Sequence, residues 1–228
     1  MGAMENAGLR EEMVAAVKRM VALGLNRGRS GNLSARAGGR FLVTPSGIGP
    51  DDMTPADIVA MDFDGTPQGH REPSSEWRFH RDILAARPEA NVVLHAHPIF
   101  ATALACLRRE IPAFHYMVAV AGGRVIPCAP YATFGSQALS DHAVAALRGL
   151  RACLLANHGI LALGRTLEGA LGLAVEVEAL AEQYMQALQV GEPAILSDAE
   201  MAEVLKKFET YGAAAAITGR PPPAAGRS

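Results

Sequence analysis

Three histidines and one glutamate carry the metal-ligand chemistry in this sequence. Glu76 sits in Pro73-Ser74-Ser75-Glu76-Trp77, His95 and His97 form a His-Ala-His pair, and His158 stands in Asn157-His158-Gly159. The pair closes the apolar run Asn91-Val-Val-Leu94, which reads as a strand. Residues two apart on a strand point to the same face, so both imidazoles can reach one ion. His158 ends a second apolar run, Ala152-Cys-Leu-Leu-Ala156, and Glu76 opens a helical stretch. Three neutral imidazoles and a carboxylate suit Zn²⁺, and a displaceable ligand is what a catalytic metal needs. A lone histidine is more often structural. A His-x-His pair closing a buried strand makes the better case for a metal.

The elements that must position these groups alternate between helices and short strands. Met13, Val17, Met20 and Val21 recur at helical spacing, with Gly24 placed to end that helix. Phe41 to Val43 and Ile58 to Met61 read as strands, the second stopped by the turn pair Asp64-Gly65. Ser74 or Ser75 caps a helix reaching about Ala86, because Pro88 forbids much extension. Helices are expected from Ile99 to Leu107 and from Leu139 to Leu147, and strands at Arg124–Ile126, Cys153–Leu155 and Ile160–Leu163. The longest helix should run from Thr166 to about Leu188. Ser197-Asp-Ala-Glu200 is a capping box that starts the last one. No internal repeat or inter-domain linker is visible. The expectation is one α/β domain over residues 10–212, after a flexible start at 1–9 and before a disordered, proline-rich tail at 213–228.

Composition excludes several functional classes. The chain has 228 residues, 50% of them hydrophobic, enough for a sizeable core. A net charge of −2 gives no basic field for nucleic acid. No run approaches a membrane span, and no signal peptide opens the chain, so a cytoplasmic protein is expected. Cys106, Cys128 and Cys153 are odd in number and widely spaced, which reads as reduced core thiols.

Taken in order, the motifs resemble the class II aldolase/adducin family. They are Asn26-Arg-Gly-Arg-Ser-Gly31-Asn32, Thr44-Pro-Ser46-Gly47, Pro73-Ser-Ser-Glu-Trp77, His95-Ala-His97 and Asn157-His-Gly159. The stretches Phe79-His80, Ile111-Pro-Ala-Phe-His-Tyr-Met117, Ala121-Gly-Gly123, Ile126-Pro-Cys-Ala-Pro-Tyr-Ala-Thr-Phe-Gly135 and Lys207-Phe-Glu-Thr-Tyr-Gly212 are closer still to its L-fuculose 1-phosphate aldolase branch. The resemblance spans about residues 10 to 212. It implies a single three-layer αβα domain with a central mixed, largely antiparallel sheet, and a homotetramer with active sites between subunits. It also implies one zinc per subunit on His95, His97 and His158, with Glu76 as a fourth ligand that leaves to transfer a proton. Gly31, Asn32, Ser46, Gly47, Ser74 and Ser75 would surround a substrate phosphate. Tyr116 would come from the adjacent subunit, and Tyr211 from the C-terminal segment. Arg29 and Ser30 depart from the pattern, standing where small neutral residues are expected.

The residue types suit that chemistry. Cleaving a carbon–carbon bond beside a carbonyl leaves an enediolate, whose charge zinc stabilises as a Lewis acid. A carboxylate such as Glu76 moves the proton on carbon. A tyrosine hydroxyl, neutral near pH 7, exchanges a proton with the departing aldehyde oxygen. Backbone N–H groups of Gly-rich turns, a helix N-terminus and serine hydroxyls hold a phosphate. Each residue also has a plainer role: Ser74 and Ser75 as caps, Gly31 and Gly47 as turn glycines, Tyr116 and Tyr211 as packing aromatics. His70, His80, His115 and His142 read as surface or structural histidines. Four activities compete: an aldolase acting on a ketose 1-phosphate, a pentulose-phosphate 4-epimerase, a methylthioribulose-1-phosphate dehydratase and a non-catalytic adducin-like binding domain. Glu76, where epimerases typically carry aspartate, favours the aldolase. Its substrate would be L-fuculose 1-phosphate or a 5-deoxy- or 5-methylthio-ribulose 1-phosphate. Its products would be dihydroxyacetone phosphate and an aldehyde.

Overall fold

Runs of Val, Leu, Ile and Ala too apolar for a half-exposed strand must be covered on both faces. β5 (Val92–Ala96) and β7 (Ala152–Leu155) are buried at every position, and β8 (Gly159–Gly164) at all but its last. The structure, a computed structural model, describes residues 6–218, with side chains through residue 209. Its strands form one eight-stranded sheet in the order β4-β3-β2-β1-β5-β8-β7-β6. The other members are β1 (Asn32–Ala37), β2 (Arg40–Val43), β3 (Val59–Asp62), β4 (Pro67–Gln68) and β6 (Cys128–Ala129). Every neighbouring pair is antiparallel except β6 with β7.

Helices α1 (Ala7–Ala22), α3 (Ile99–Cys106) and α5 (Leu167–Val190) cover one face through Met13, Met20, Leu104, Leu171, Val177 and Leu180. Helices α2 (Trp77–Ala86) and α4 (Gln137–Ala146) cover the other through Phe79, Ile83, Leu84, Leu139 and Ala143. The fold is therefore a three-layer αβα sandwich around a mixed, mostly antiparallel sheet. Ser136 caps α4 at Leu139 N–H, and Thr166 caps α5 at Gly169 N–H. Ser197 and Glu200 form the expected capping box before α6 (Asp198–Thr218).

Several expectations need correction. The strand expected at Arg124–Ile126 is reduced to a single bridge between Ile126 and Ile111, and the edge strand lies at Cys128–Ala129. Strand β1 had no counterpart in the sequence reading. Its polar Asn32 and Ser34 alternate with Leu33 and Ala35, yet all four are buried. Val21 is exposed, and Val14 takes its place on the packed face of α1. Glu76, not a serine, occupies the N-cap position of α2. Ser74 Oγ accepts from the Glu76 N–H at 3.3 Å, without a side-chain cap from Glu76 itself. Only Cys153 is a core thiol, since Cys106 is exposed and Cys128 half-buried. Helix α1 begins at Ala7, before the boundary expected at residue 10, and α6 continues to Thr218 through Ala213–Ala216, the best helix-forming residue type. The rest of the expected tail, 219–228, and residues 1–5 lie outside the described residues.

Candidate functional site

At one end of the sheet, neighbouring strands bring distant residues together. Asn32, which opens β1, is the cross-strand partner of His95 in β5, and His95 is in turn the partner of Leu161 in β8. His97 follows the end of β5, and His158 immediately precedes β8. The turn holding His158 depends on Asn157, whose φ of 55° is left-handed, a conformation asparagine tolerates better than most residues. The end of α3 clamps that turn. Asn157 N–H donates to Ala105 O at 2.9 Å, and Arg108 Nε donates to Asn157 Oδ1 at 3.0 Å. Gly159 is required next, because a Cβ there would lie 2.4 Å from Ala96 O and 2.5 Å from His97 Cδ2.

The three imidazoles converge. One ring nitrogen of each of His95, His97 and His158 lies within 4.8 Å of the others. His95 Nε2 lies 2.8 Å from His97 Nε2 and 3.2 Å from Glu76 Oε2, and His158 Nε2 lies 3.2 Å from Glu76 Oε1. Ligands about 2.0–2.1 Å from a tetrahedral ion stand about 3.3 Å apart, so these separations match a four-ligand shell. His95 Nδ1 lies 2.9 Å from Ile160 O and must donate to it, which leaves Nε2 with the lone pair a metal needs. Glu76 is buried, and its Oε1 has no hydrogen-bond partner. A buried carboxylate oxygen left in that state fits a missing cation. The donor set of three imidazoles and one carboxylate suits zinc.

The protonation states point the same way. Burial pushes His97 down to about 3 and His158 to about 4, with the neighbouring His95 adding to both. Both rings are then neutral near pH 7, the form that binds metal. Burial opposes ionisation of Glu76. Its neighbours His95 and His158 and the hydrogen bond from the Asn32 amide outweigh it, holding the carboxyl well below its usual range.

Beside this centre lies a cavity of about 400 Å³ lined by Gly31, Asn32, Ser46, Gly47, Ser74, Ser75, Glu76, His97 and His158. All six residues expected around a phosphate therefore share one cavity with three of the four expected ligands, the fourth, His95, being wholly buried behind them. Two loops are stitched together to build it. Ser46 N–H donates to Glu72 O, and Ser74 N–H to Thr44 O, both at 3.0 Å. Gly31 has a φ of 79°, and a Cβ on it would come within 2.2 Å of the Asn26 side chain. Buried Asn26 in turn accepts from His97 N–H at 3.0 Å, tying the first loop to the histidine cluster. Arg29 also lines the cavity and donates to Gly47 O at 3.2 Å, adding a full positive charge to a wall of neutral donors. Tyr131 and Phe134, both exposed, form an apolar side that sequence reading had not singled out.

The remaining expected residues stand apart. Tyr116 begins a 3₁₀ turn, is half exposed, and lies outside the residues lining the cavity. Its ring packs on His115, with centroids 4.8 Å apart. Tyr211 belongs to α6, and its side chain lies outside the described residues. Of the surface and structural alternatives for His80, the structure selects the structural one, since it is fully buried behind Asn32. Burial first, then the neighbouring His95, pushes it from 6.5 to about 3.

That burial has a measurable consequence. In the unfolded chain His80 takes up its proton near pH 6.5, whereas in the folded protein it does so only near 3. Stability is therefore full above pH 6.5 and declines as the pH falls toward 3, with His97 and His158 acting in the same sense. For His80 alone the slope reaches about 1.4 kcal/mol per pH unit. Urea unfolding of chelator-treated protein should show its midpoint falling from pH 7 to pH 5. A midpoint independent of pH in that range would mean that these rings are not held neutral.

Comparisons with known proteins agree with this geometry. The class II aldolase and adducin N-terminal domain matches residues 11–185. A 5-methylthioribulose-1-phosphate/5-deoxyribulose-1-phosphate aldolase of Rhodospirillum rubrum is 56% identical over 213 residues, covering 93% of this chain and 96% of that protein. An L-fuculose phosphate aldolase of Escherichia coli is 47% identical over 210 residues, covering 92% and 98%. A solved L-fuculose 1-phosphate aldolase superposes with a TM-score of 0.87 at 42% identity, covering 90% of this chain and 98% of that one. Among the described residues, no helix is long and apolar enough to cross a membrane.

Proposed function

The chain belongs to the class II aldolase and adducin family, and from that premise we propose a zinc-dependent retro-aldol cleavage of a ketose 1-phosphate. The enzyme is a carbon–carbon lyase of the fuculose-phosphate and methylthioribulose-phosphate aldolase type. The proposal adds its metal, its products and its residue roles. The observation that carries it is the single cavity shared by the histidine cluster, Glu76 and the Ser/Gly loops. That junction fits a substrate whose phosphate and reacting carbonyl are a few bonds apart. The products are dihydroxyacetone phosphate and an aldehyde.

His95, His97 and His158 would hold zinc, with Glu76 as fourth ligand in the resting enzyme. When bound, the ion supplies Lewis-acid stabilisation of the negative charge that develops next to the broken bond. Ser46, Ser74, Ser75 and the backbone around Gly31 and Gly47 bind the phosphate, where the start of α2 also favours an anion. Glu76 moves the proton on carbon, held through Oε2 by the Asn32 amide. A tyrosine, Tyr211 or a neighbouring subunit's Tyr116, exchanges a proton with the aldehyde oxygen. Tyr131 and Phe134 give the aldehyde tail an apolar wall, which suits a deoxy or methylthio end. The substrate reading is accordingly a 5-methylthio- or 5-deoxy-ribulose 1-phosphate, with L-fuculose 1-phosphate second, on the 47% identity noted above.

The deciding experiment compares kcat/KM for the three ketose 1-phosphates, with dihydroxyacetone phosphate detected as product. The two ribulose phosphates should exceed the fuculose compound. No dihydroxyacetone phosphate from any of them would end the aldolase proposal, and epimerised sugar would favour the epimerase alternative.

Assembly is part of the proposal. Tyr116 is half exposed and does not line its own chain's cavity, so a homotetramer in which it completes a neighbour's site is the expected arrangement. Inactive Tyr116→Phe chains mixed with inactive Glu76→Gln chains should recover part of the activity, because hybrids contain some wild-type sites. No recovery after demonstrated subunit exchange would place both groups in one chain's site or remove one from catalysis.

A further inference from the structure

A buried polar chain runs from the middle of the sheet to Glu76. Ser34 Oγ lies 2.7 Å from His80 Nδ1, His80 Nε2 lies 2.5 Å from Asn32 Oδ1, and Asn32 Nδ2 donates to Glu76 Oε2 at 2.9 Å. Ser34, His80, Asn32 and Glu76 are all buried, Ser34 and His80 completely. Neither Ser34 nor His80 lines the cavity, so neither reaches a substrate.

The hydrogen positions along this chain follow from its far end. A carboxylate only accepts, so Asn32 must turn its NH₂ toward Glu76 and its carbonyl oxygen toward His80. His80 Nε2 must then carry the proton. Its Nδ1, in a neutral ring, must accept from the Ser34 hydroxyl. Reversing the Asn32 amide would set a carbonyl oxygen against the Glu76 carboxylate, a repulsion buried away from water. Asn32 lines the cavity, and among the described residues its amide bonds only to Glu76 and His80.

We infer that His80 is a positioning residue, which fixes the Asn32 amide through its Nε2–H so that the Asn32 NH₂ holds the Glu76 carboxylate for proton transfer. The inference rests on the proposed role of Glu76 in the aldolase reaction. It explains why an imidazole is buried beneath the site at a cost in acid stability where a leucine would pack without one. Neither apolar packing nor the zinc shell calls for a histidine there.

Two conservative variants separate positioning from packing. In His80→Gln the amide nitrogen reaches the place of Nε2 and keeps the bond to Asn32. In His80→Asn the shorter amide reaches the place of Nδ1, keeping the Ser34 contact and losing Asn32. Both are polar and both fill less of the space than histidine. His80→Gln should retain kcat within about 3-fold, while His80→Asn should lose about 10- to 100-fold, in the lower part of the range for a group that assists proton transfer. In an Asn32→Ala background the difference between the two should vanish, because the link is gone. Metal content, measured by mass spectrometry, should be the same in all of them. Equal losses in Gln and Asn variants, or a difference that persists without Asn32, would overturn the inference and leave His80 a packing residue. Imidazole ¹⁵N spectra give a readout independent of turnover: protonated Nε2 and bare Nδ1 are expected, and the opposite tautomer refutes the inference. Wild-type protein that shows this tautomer but cleaves no ketose 1-phosphate would instead sink the aldolase proposal.

Discussion

Glu76→Gln is expected to lower kcat by about 10²–10⁴-fold with zinc still bound, the usual contribution of general acid–base catalysis. Glutamine keeps the size of the side chain and a neutral oxygen ligand, but near pH 7 it cannot take up a proton. Asn32 Nδ2, 2.9 Å from Oε2, can still donate to the amide oxygen. Replacing a buried carboxylate by an amide also removes a desolvation cost, so the variant should fold. Two roles then separate. If Glu76 only held metal, adding zinc would rescue the variant. If it moves the proton, the loss persists at full occupancy, while binding of phosphoglycolohydroxamate survives better because the phosphate loops and the histidines are intact. Exchange of the carbon-bound proton of dihydroxyacetone phosphate with solvent should stop as well, a half-reaction that needs no aldehyde. Normal exchange in the zinc-loaded variant would move the base elsewhere, first to Tyr211.

The parts of this site that sequence reading reached are those encoded by local spacing. His95 and His97 are two residues apart at the end of an apolar run, and a strand period is all that is needed to aim them together. Ser46-Gly47 and Ser74-Ser75-Glu76 sit in a turn and at a helix start, both recognisable by residue type. Their meeting in one cavity needs the antiparallel stitching of Thr44 to Ser74 and Ser46 to Glu72, which no local pattern encodes.

What escaped was the supporting shell, because its partners are far apart in the chain. Asn26 acts on His97, Arg108 on Asn157 and His80 on Asn32. Phe79-His80 belongs to the family pattern, but no local spacing gives His80 a role or a burial that His70 and His142 lack. Only the sheet, by placing Asn32 opposite His95 and laying α2 across them, buries it. Strand β1 escaped for a related reason. Its period-two alternation was legible, but Asn32 and Ser34 are polar on a face that is buried, and they are accommodated there because His80 and Glu76 satisfy them. A functional site thus hid a strand by placing polar residues where the core would demand apolar ones.

Removing a histidine of the cluster should abolish both metal and activity, and the three sites differ in what else is lost. His95 is completely buried, and its Nδ1–H is hydrogen-bonded to Ile160 O. Alanine there leaves a cavity and removes a buried hydrogen bond to Ile160 O, the latter costing about 0.5–1.5 kcal/mol by itself. A loss of activity in that variant would be ambiguous between metal and fold. His97 and His158 stand at the cavity edge and are partly exposed, so His97→Ala and His158→Ala remove a ligand with little packing. Both should fall from about one zinc per chain to a small fraction and lose at least about 10³-fold in kcat/KM, a loss of several kcal/mol in transition-state stabilisation. Their far-ultraviolet circular dichroism should not change. Chelation of the wild type should reproduce this loss with the fold intact, because two helical layers on an eight-stranded sheet bury their core without the ion. Readdition of zinc should then restore the wild type but neither variant. Full activity in a verified metal-free preparation would overturn the metal assignment. It would leave Glu76 as a buried carboxylate among neutral imidazoles with no cation to compensate it, an arrangement that folded proteins rarely tolerate.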